Sequence, residues 1–191
     1  MDELIAALAA GRPALFPTDT VYGLVSLPTE EAVAALYALK GRRPEQPTAL
    51  LAASADQLVR AIPELDAGRL VHGPYTLVLP NPGRRYPWLT GTRPDAIGLR
   101  LPDLSPAATA VLEAVGCVAA TSANDPGGAD PLMLDDVPTR LREACPALDE
   151  GSLPGVPSTV IDLTGPEPRV LREGAVPSAV ALAAVAGARR V

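Results

Sequence analysis

The sequence predicts an α/β fold, a twisted open mixed sheet flanked by helices. Apolar residues make up 48% of the 191-residue chain, enough to bury a sizeable core. Aromatics are limited to four Tyr, one Phe and one Trp, so that core rests on Ala, Val and Leu, which suits helices packed closely on a sheet. Strand-like and helix-like segments interleave, but without the strict rhythm of a fully parallel βαβ array. No linker divides the chain, and residues 1–191 are expected to form one domain.

The elements follow in order. Residues 2–11 read as a short helix ending at Gly11, and Ala14-Leu15-Phe16 as an apolar strand. Residues 30–40 carry Val33, Leu36, Tyr37 and Lys40 at helical spacing, with Thr29 as N-cap and Gly41 as the stop. Residues 48–52 and 75–79 look like buried strands, and 97–101 alternates in strand fashion. Residues 105–115 form a helix stopped by Gly116; 118–121 is a strand running into the turn Ser122-Ala123-Asn124. Residues 135–143 and 177–186 read as helices, 158–163 and 169–171 as strands. Twenty-two prolines punctuate the joins, most densely at 80–94 and 126–138.

Charge and composition narrow the function. A net charge of −6 argues against broad electrostatic binding of nucleic acid, since phosphate contacts supply most nonspecific affinity; a local cationic site for a nucleotide is compatible with it. Cys117 and Cys145 lack CxxC spacing, and His72 is the sole histidine. A His-based zinc site or a Ser-His-Asp triad therefore has little material, and two buried thiols in a reducing compartment are expected. His72 itself reads as a surface side chain. The acidic start Met1-Asp2-Glu3 lacks the basic region of a secretory signal, and the apolar tail is broken by Pro177 and Ser178. A cytoplasmic protein with no membrane association is expected.

Five clusters could carry chemistry. Pro17-Thr18-Asp19-Thr20-Val21-Tyr22-Gly23 follows a strand, where polar turns line ligand crevices in α/β sheets, or where Asp19 and the threonines simply satisfy a turn. Lys40-Gly41-Arg42-Arg43 puts three cations at a helix C-terminus, whose dipole discourages anions, so any anion is met by side chains; alternatively this is a solvated basic terminus. There is no Walker loop. Arg100 lies inside the apolar strand Ile97-Gly98-Leu99-Arg100-Leu101, downstream of Gly73-Pro74-Tyr75-Thr76. A buried charge there needs either an internal carboxylate or a ligand's. Thr121-Ser122-Ala123-Asn124 suits a phosphate, ribose or adenine edge, or caps its own turn. Pro157-Ser158-Thr159 precedes another strand, and Leu171-Arg172-Glu173-Gly174 lies downstream.

Lys40 stands out, being the sole lysine beside fifteen arginines. A cation closing a helix explains the charge but not the choice of lysine. A compact, flexible ammonium is preferred where a point charge reaches a phosphate in a crowded site.

Taken in series, PTDTVYGL, KGRR, GPYT, IGLRLP, TSAN, STVIDLT and LREG resemble the YrdC-like family of L-threonylcarbamoyladenylate synthases, over about residues 10–176. The resemblance implies a YrdC-like fold with a central cationic cavity, in its short, single-domain form. It implies an enzyme, a nucleotidyltransferase, that combines L-threonine, bicarbonate and ATP into threonylcarbamoyl-AMP and pyrophosphate. A tRNA threonylcarbamoyltransferase complex then completes the threonylcarbamoyladenosine modification at position 37 of tRNA. Carried over by motif, Lys40 and Arg42 are the catalytic cations and contact ATP, joined by Thr76, Ser122, Asn124 and Arg172. Thr18, Tyr22, Arg100 and Ser158 surround threonine. No metal-ligand set is implied; Mg²⁺ is expected on the ATP phosphates. Arg43, Tyr75, His72 and Asp125-Pro126-Gly127 depart from the family's usual residues, which bears on substrate detail more than on fold. The alternative is a divergent YrdC-like paralogue that binds nucleotide or double-stranded RNA, the latter weakly, without the synthase activity. Carbamoyl transfer in hydrogenase maturation is disfavoured, because acylphosphatase and zinc-finger segments do not accompany the domain.

Overall fold

The structure is a computed structural model, and it describes residues 1–188. Their eight strands form one mixed sheet: β1 (Ala14–Pro17), β2 (Tyr22–Ser26), β3 (Ala49–Leu51), β4 (Tyr75–Pro80), β5 (Ala96–Arg100), β6 (Val118–Ser122), β7 (Thr159–Asp162) and β8 (Arg169–Arg172). The order across the sheet is β1-β2-β6-β3-β5-β4-β7-β8. The β3–β5 and β4–β7 pairs are parallel and the rest antiparallel. Six helices flank it: α1 (Asp2–Ala9), α2 (Glu30–Lys40), α3 (Ala55–Ala61), α4 (Pro106–Val115), α5 (Thr139–Ala144) and α6 (Ser178–Ala188). This is the predicted fold class.

Local chemistry accounts for the helices. Thr29 Oγ1 accepts the amide of Ala32 at the start of α2, and Gly41 ends it in the left-handed region at φ 68°, a conformation that favours glycine. Ser105 caps α4, with Pro106 at its first position, where the missing N–H costs nothing. Two expectations need correction. Residues 22–26 are a strand rather than part of a turn: all five are buried, so they lack the period-two alternation that marks a half-exposed strand. Residues 135–143 are not one helix. Pro138 has no N–H and holds Val137 extended, leaving a 3₁₀ turn before α5. The unexpected α3 is short, but Ser54-x-x-Gln57 marks its start, with Ser54 Oγ accepting the Gln57 amide at 3.3 Å.

Adjacent residues along each strand enter opposite cores, as the pleat requires. Leu15, Leu24 and Leu50 join the cluster under α2, α3, α5 and α6. Phe16, Val25 and Leu51 join the cluster under α1 and α4. Both faces are thus buried at the β1–β3 end. Cys117 and Cys145 are buried free thiols, and burial pushes each up to about 11. His72 is exposed.

At the far end, Thr159 ties the segment after β8 to the sheet. Its Oγ1 donates to Val176 O at 2.6 Å and accepts the amides of Gly174 at 3.0 Å and Val176 at 3.1 Å. Gly174 fits because it has no side chain: a Cβ there would lie 2.1 Å from Pro157 O. Gly174→Ala is therefore expected to lower stability by roughly 1–3 kcal/mol through overpacking, measured by urea unfolding.

Candidate active site

A cavity of about 410 Å³ opens on the α1/α4 face of the sheet, beyond the part those helices cover. Side-chain parity explains its position. Gly23, Ala49, Ala120, Gly98 and Ala96 lie on its wall, with Thr76, Val78 and Val160. Their strand neighbours Leu24, Leu50, Ala119, Leu99, Ile97 and Leu77 point into the opposite core. Where α1 and α4 rest on Phe16, Val25 and Leu51, the next residues along the face are glycine and alanine. The volume their side chains leave is the cavity.

Its rim is polar and cationic. Arg42, Arg93, Arg100 and Arg172 reach the wall, against the carboxylate of Asp130. Thr18, Thr20, Thr48, Thr76, Thr121, Ser122 and Ser158 supply hydroxyls. Thr18 is set by the β1–β2 turn: its Oγ1 donates to Val21 O at 2.8 Å and accepts the amides of Thr20 and Val21, each at 3.3 Å.

The arginines differ in how their charge is met. Arg100 Nη2 lies 2.7 Å from Asp19 Oδ1, both side chains being about a tenth exposed or less, and 3.2 Å from Thr20 Oγ1. Burial works against charge on each; it raises Asp19, while the Arg100 guanidinium pulls that carboxyl back down. Arg100 Nε is buried without a protein partner. Arg93 lies 3.4 Å from the buried Asp162. Arg42 and Arg172 meet neutral oxygens instead. Arg42 donates to Pro47 O at 2.6 Å and Thr121 Oγ1 at 3.3 Å, and its Nε is buried without a partner. Arg172 donates to Ser158 O at 2.7 Å, and Ser158 Oγ is 2.8 Å from Thr76 Oγ1.

Seven of the ten residues singled out in the sequence thus share one wall: Thr18, Arg42, Thr76, Arg100, Ser122, Ser158 and Arg172. Three stand behind it. Tyr22 precedes Gly23 in β2 and so faces the other way; its ring is wholly buried. Its hydroxyl is 2.9 Å from both Asp149 Oδ1 and Gly151 O and accepts the Glu150 amide, which anchors a turn rather than a ligand. Lys40 is 4% exposed, with Nζ donating to the backbone and side-chain oxygens of Asn124. Asn124 is held in turn by Ser122 at 2.7 Å and donates to Gly128 O at 2.7 Å. Burial, with Arg42 nearby, lowers Lys40 to about 8, against the pull of Asp130 and Asp125.

Sequence reasoning passed over Thr90, Thr92 and Arg93, which reach the wall from the proline-rich 80–94 segment. The cluster Thr90-Gly91-Thr92-Arg93 was the available signal. The small-residue floor was also missed, because it is distributed over four strands.

A family model for Sua5, YciO and YrdC proteins, described as telomere recombination, matches residues 6–174. A putative threonylcarbamoyl-AMP synthase of Mycobacterium tuberculosis is 35% identical over 182 residues, covering 90% of this chain and 82% of that protein. The structure of Pyrococcus abyssi Sua5 complexed with L-threonine superposes with a TM-score of 0.82 at 32% identity, over 93% of this chain and 54% of that one. The chain thus spans about half the length of that Sua5 protein. Escherichia coli YciO superposes with a TM-score of 0.77 at 26% identity, over 91% of this chain and 88% of its own.

The floor supplies a direct test. A Cβ on Gly98 would meet only ordinary contacts, the nearest 3.6 Å away at Thr76. Gly98→Leu is therefore expected to fold, with its melting temperature retained, while the new side chain fills the cavity, as a crystal structure of the variant would show.

Proposed function

Because this chain belongs to the Sua5–YciO–YrdC family, we propose that it is a threonylcarbamoyl-AMP synthase, an enzyme of the nucleotidyltransferase class, acting on L-threonine, bicarbonate and ATP in tRNA modification. The observation that carries the proposal is the cavity wall, where guanidinium groups and hydroxyls converge with no histidine base.

The chemistry asks for little else. The free threonine amine attacks CO₂ to give a carbamate with loss of a proton, or attacks bicarbonate to give it with loss of water. A carbamate oxygen then attacks the α-phosphorus of ATP, and pyrophosphate leaves. Neither step needs a protein nucleophile. Catalysis is positioning together with cancellation of phosphate charge. Arg42 and Arg172 have neutral partners, so their charge is available to a triphosphate. Thr76 and Ser122 would join them on the nucleotide. Arg100, with Thr18 and Ser158, would face the threonine carboxylate, Asp19 meanwhile fixing the guanidinium from behind. Tyr22 would shape this corner indirectly.

Lys40 would act after release from Asn124, turning a stored ammonium onto the phosphates; the Asn124 oxygens would then be free to accept from a donor of the nucleotide. Mg²⁺, a hard cation suited to phosphate oxygens and water, would arrive on the triphosphate, with Asp130 the carboxylate on the wall. The product would pass to a tRNA threonylcarbamoyl transferase complex. No helix among the described residues is long and apolar enough to cross a membrane, in keeping with a cytoplasmic reaction.

Purified protein with Mg²⁺ is expected to release pyrophosphate from ATP only when threonine and bicarbonate are both present. Absence of release favours a nucleotide-binding paralogue. Lys40→Ala is expected to abolish synthesis with the fold intact, and Lys40→Arg to retain part of it; full activity in Lys40→Arg removes the requirement for lysine.

The pH dependence follows from Lys40, whose ammonium is half lost at about pH 8 in the free protein. Phosphate contact favours the charged form, so ATP binding should take up a proton near pH 8 and weaken as pH rises further. Calorimetry in buffers of different ionisation enthalpy measures this uptake, and Lys40→Ala should remove it. The same shift makes charged Lys40 a stability penalty that fades as pH rises from about 8 toward the ordinary lysine value.

A further inference from the structure

Arg42 stands on a loop with little regular structure of its own. α2 ends at Lys40, and the chain runs irregularly until β3 begins at Ala49. Support comes from residues 86–91 behind it. The Thr48 amide donates to Leu89 O at 2.9 Å. At Gly91, φ is 59° and a Cβ would lie 2.4 Å from Glu45 O, so the two backbones meet with no room for a side chain between them. Trp88 is pinned by its indole N–H to Pro28 O at 3.0 Å. It packs edge-on against Tyr86, with ring centroids 6.2 Å apart.

Tyr37, on the last turn of α2, joins these parts. It is 6% exposed, and its Oη lies 2.9 Å from Thr48 Oγ1 and 3.2 Å from Trp88 O. It also lies beside the Arg42 guanidinium and favours its charge, which burial opposes. A phenol has one proton to donate, and a carbonyl can only accept. Tyr37 directs that proton to Thr48 Oγ1, the nearer of the two oxygens in its reach, with Trp88 O the longer contact, which leaves the Thr48 hydroxyl proton free. Thr48 reaches the cavity wall. With a lone pair engaged by Tyr37, it has its proton to offer the cavity.

We infer that Tyr37 is a positioning residue of the nucleotide site: it braces Arg42 and Thr48 against Trp88 and turns Thr48 into a donor for a phosphate oxygen or ring nitrogen of the nucleotide. This rests on the nucleotide reading above and adds to it the polarity of one wall residue and the group that sets it.

Tyr37→Phe removes the hydroxyl and keeps the ring. ATP affinity, measured by calorimetry, is expected to fall about tenfold in Tyr37→Phe, equivalent to about 1.4 kcal/mol, and similarly in Thr48→Val. Thr48→Ser, which keeps the hydroxyl, should stay within about twofold of the parent protein. Because both residues act through one hydrogen-bond chain, the double variant should be well short of the about hundredfold loss that additivity requires. A crystal structure of Tyr37→Phe should show the Arg42 guanidinium displaced from Pro47 O.

Parental affinity in Tyr37→Phe, an additive double variant, or an unmoved Arg42 would each overturn the inference. So would a lowered melting temperature with ATP affinity unchanged, since that marks a structural role alone. Failure of the parent protein to bind ATP overturns the donor role of Thr48. A parent protein that binds ATP but releases no pyrophosphate removes the synthase reading and leaves this inference standing, because its readout is binding.

Discussion

A change of side-chain size across one face of the sheet underlies everything the site does. At the β1–β3 end that face presents Phe16, Val25 and Leu51, and α1 and α4 close over it. Further along the same strands, and across β5, the positions of the same parity are Gly23, Ala49, Ala96, Gly98 and Ala120. Large apolar residues there would have extended the core, because burying each one stabilises by about 1.5–3 kcal/mol. Small residues forgo that stabilisation and leave a cavity. The opposite face keeps its leucines throughout, so the sheet stays rigid beneath the opening.

Charge is distributed on this scaffold according to depth. The deeply buried Arg100 carries its own carboxylate, Asp19; without it, burial would make the guanidinium prohibitively costly. Arg42 and Arg172 rest on backbone carbonyls and hydroxyls, so their charge remains available to a ligand. Lys40 is an intermediate case, buried and lodged on Asn124 oxygens, with a lowered affinity for its proton. A site so built limits the repulsion among its own cations, since their charges are partly countered or partly discharged.

Much of this was legible in the sequence, and the failures have physical causes. Capping residues such as Thr29 and Ser105 and the αL residue Gly41 act within a few residues of themselves, so the helices they bound could be read directly. β2 escaped because a strand buried on both sides has no alternation, and the 135–143 segment because its apolar spacing outweighed the effect of Pro138. The motifs assembled the right neighbourhood but not the right facing. Tyr22 and Gly23 are adjacent in one motif, yet a strand sends them to opposite sides. Lys40 and Arg42 flank a helix end that turns the lysine inward to Asn124 and leaves the arginine on the wall.

Fold class, the order of the motifs and the stock of cations and hydroxyls were set by sequence alone, as was the scarcity of histidine. Tertiary structure alone decided which of those groups share a surface and which are already engaged. The Arg100–Asp19 pair joins residues 81 positions apart, and the brace at Tyr37 joins a helix to a loop 51 positions away. Such partners are set by strand register and loop packing, to which no local pattern of residues responds.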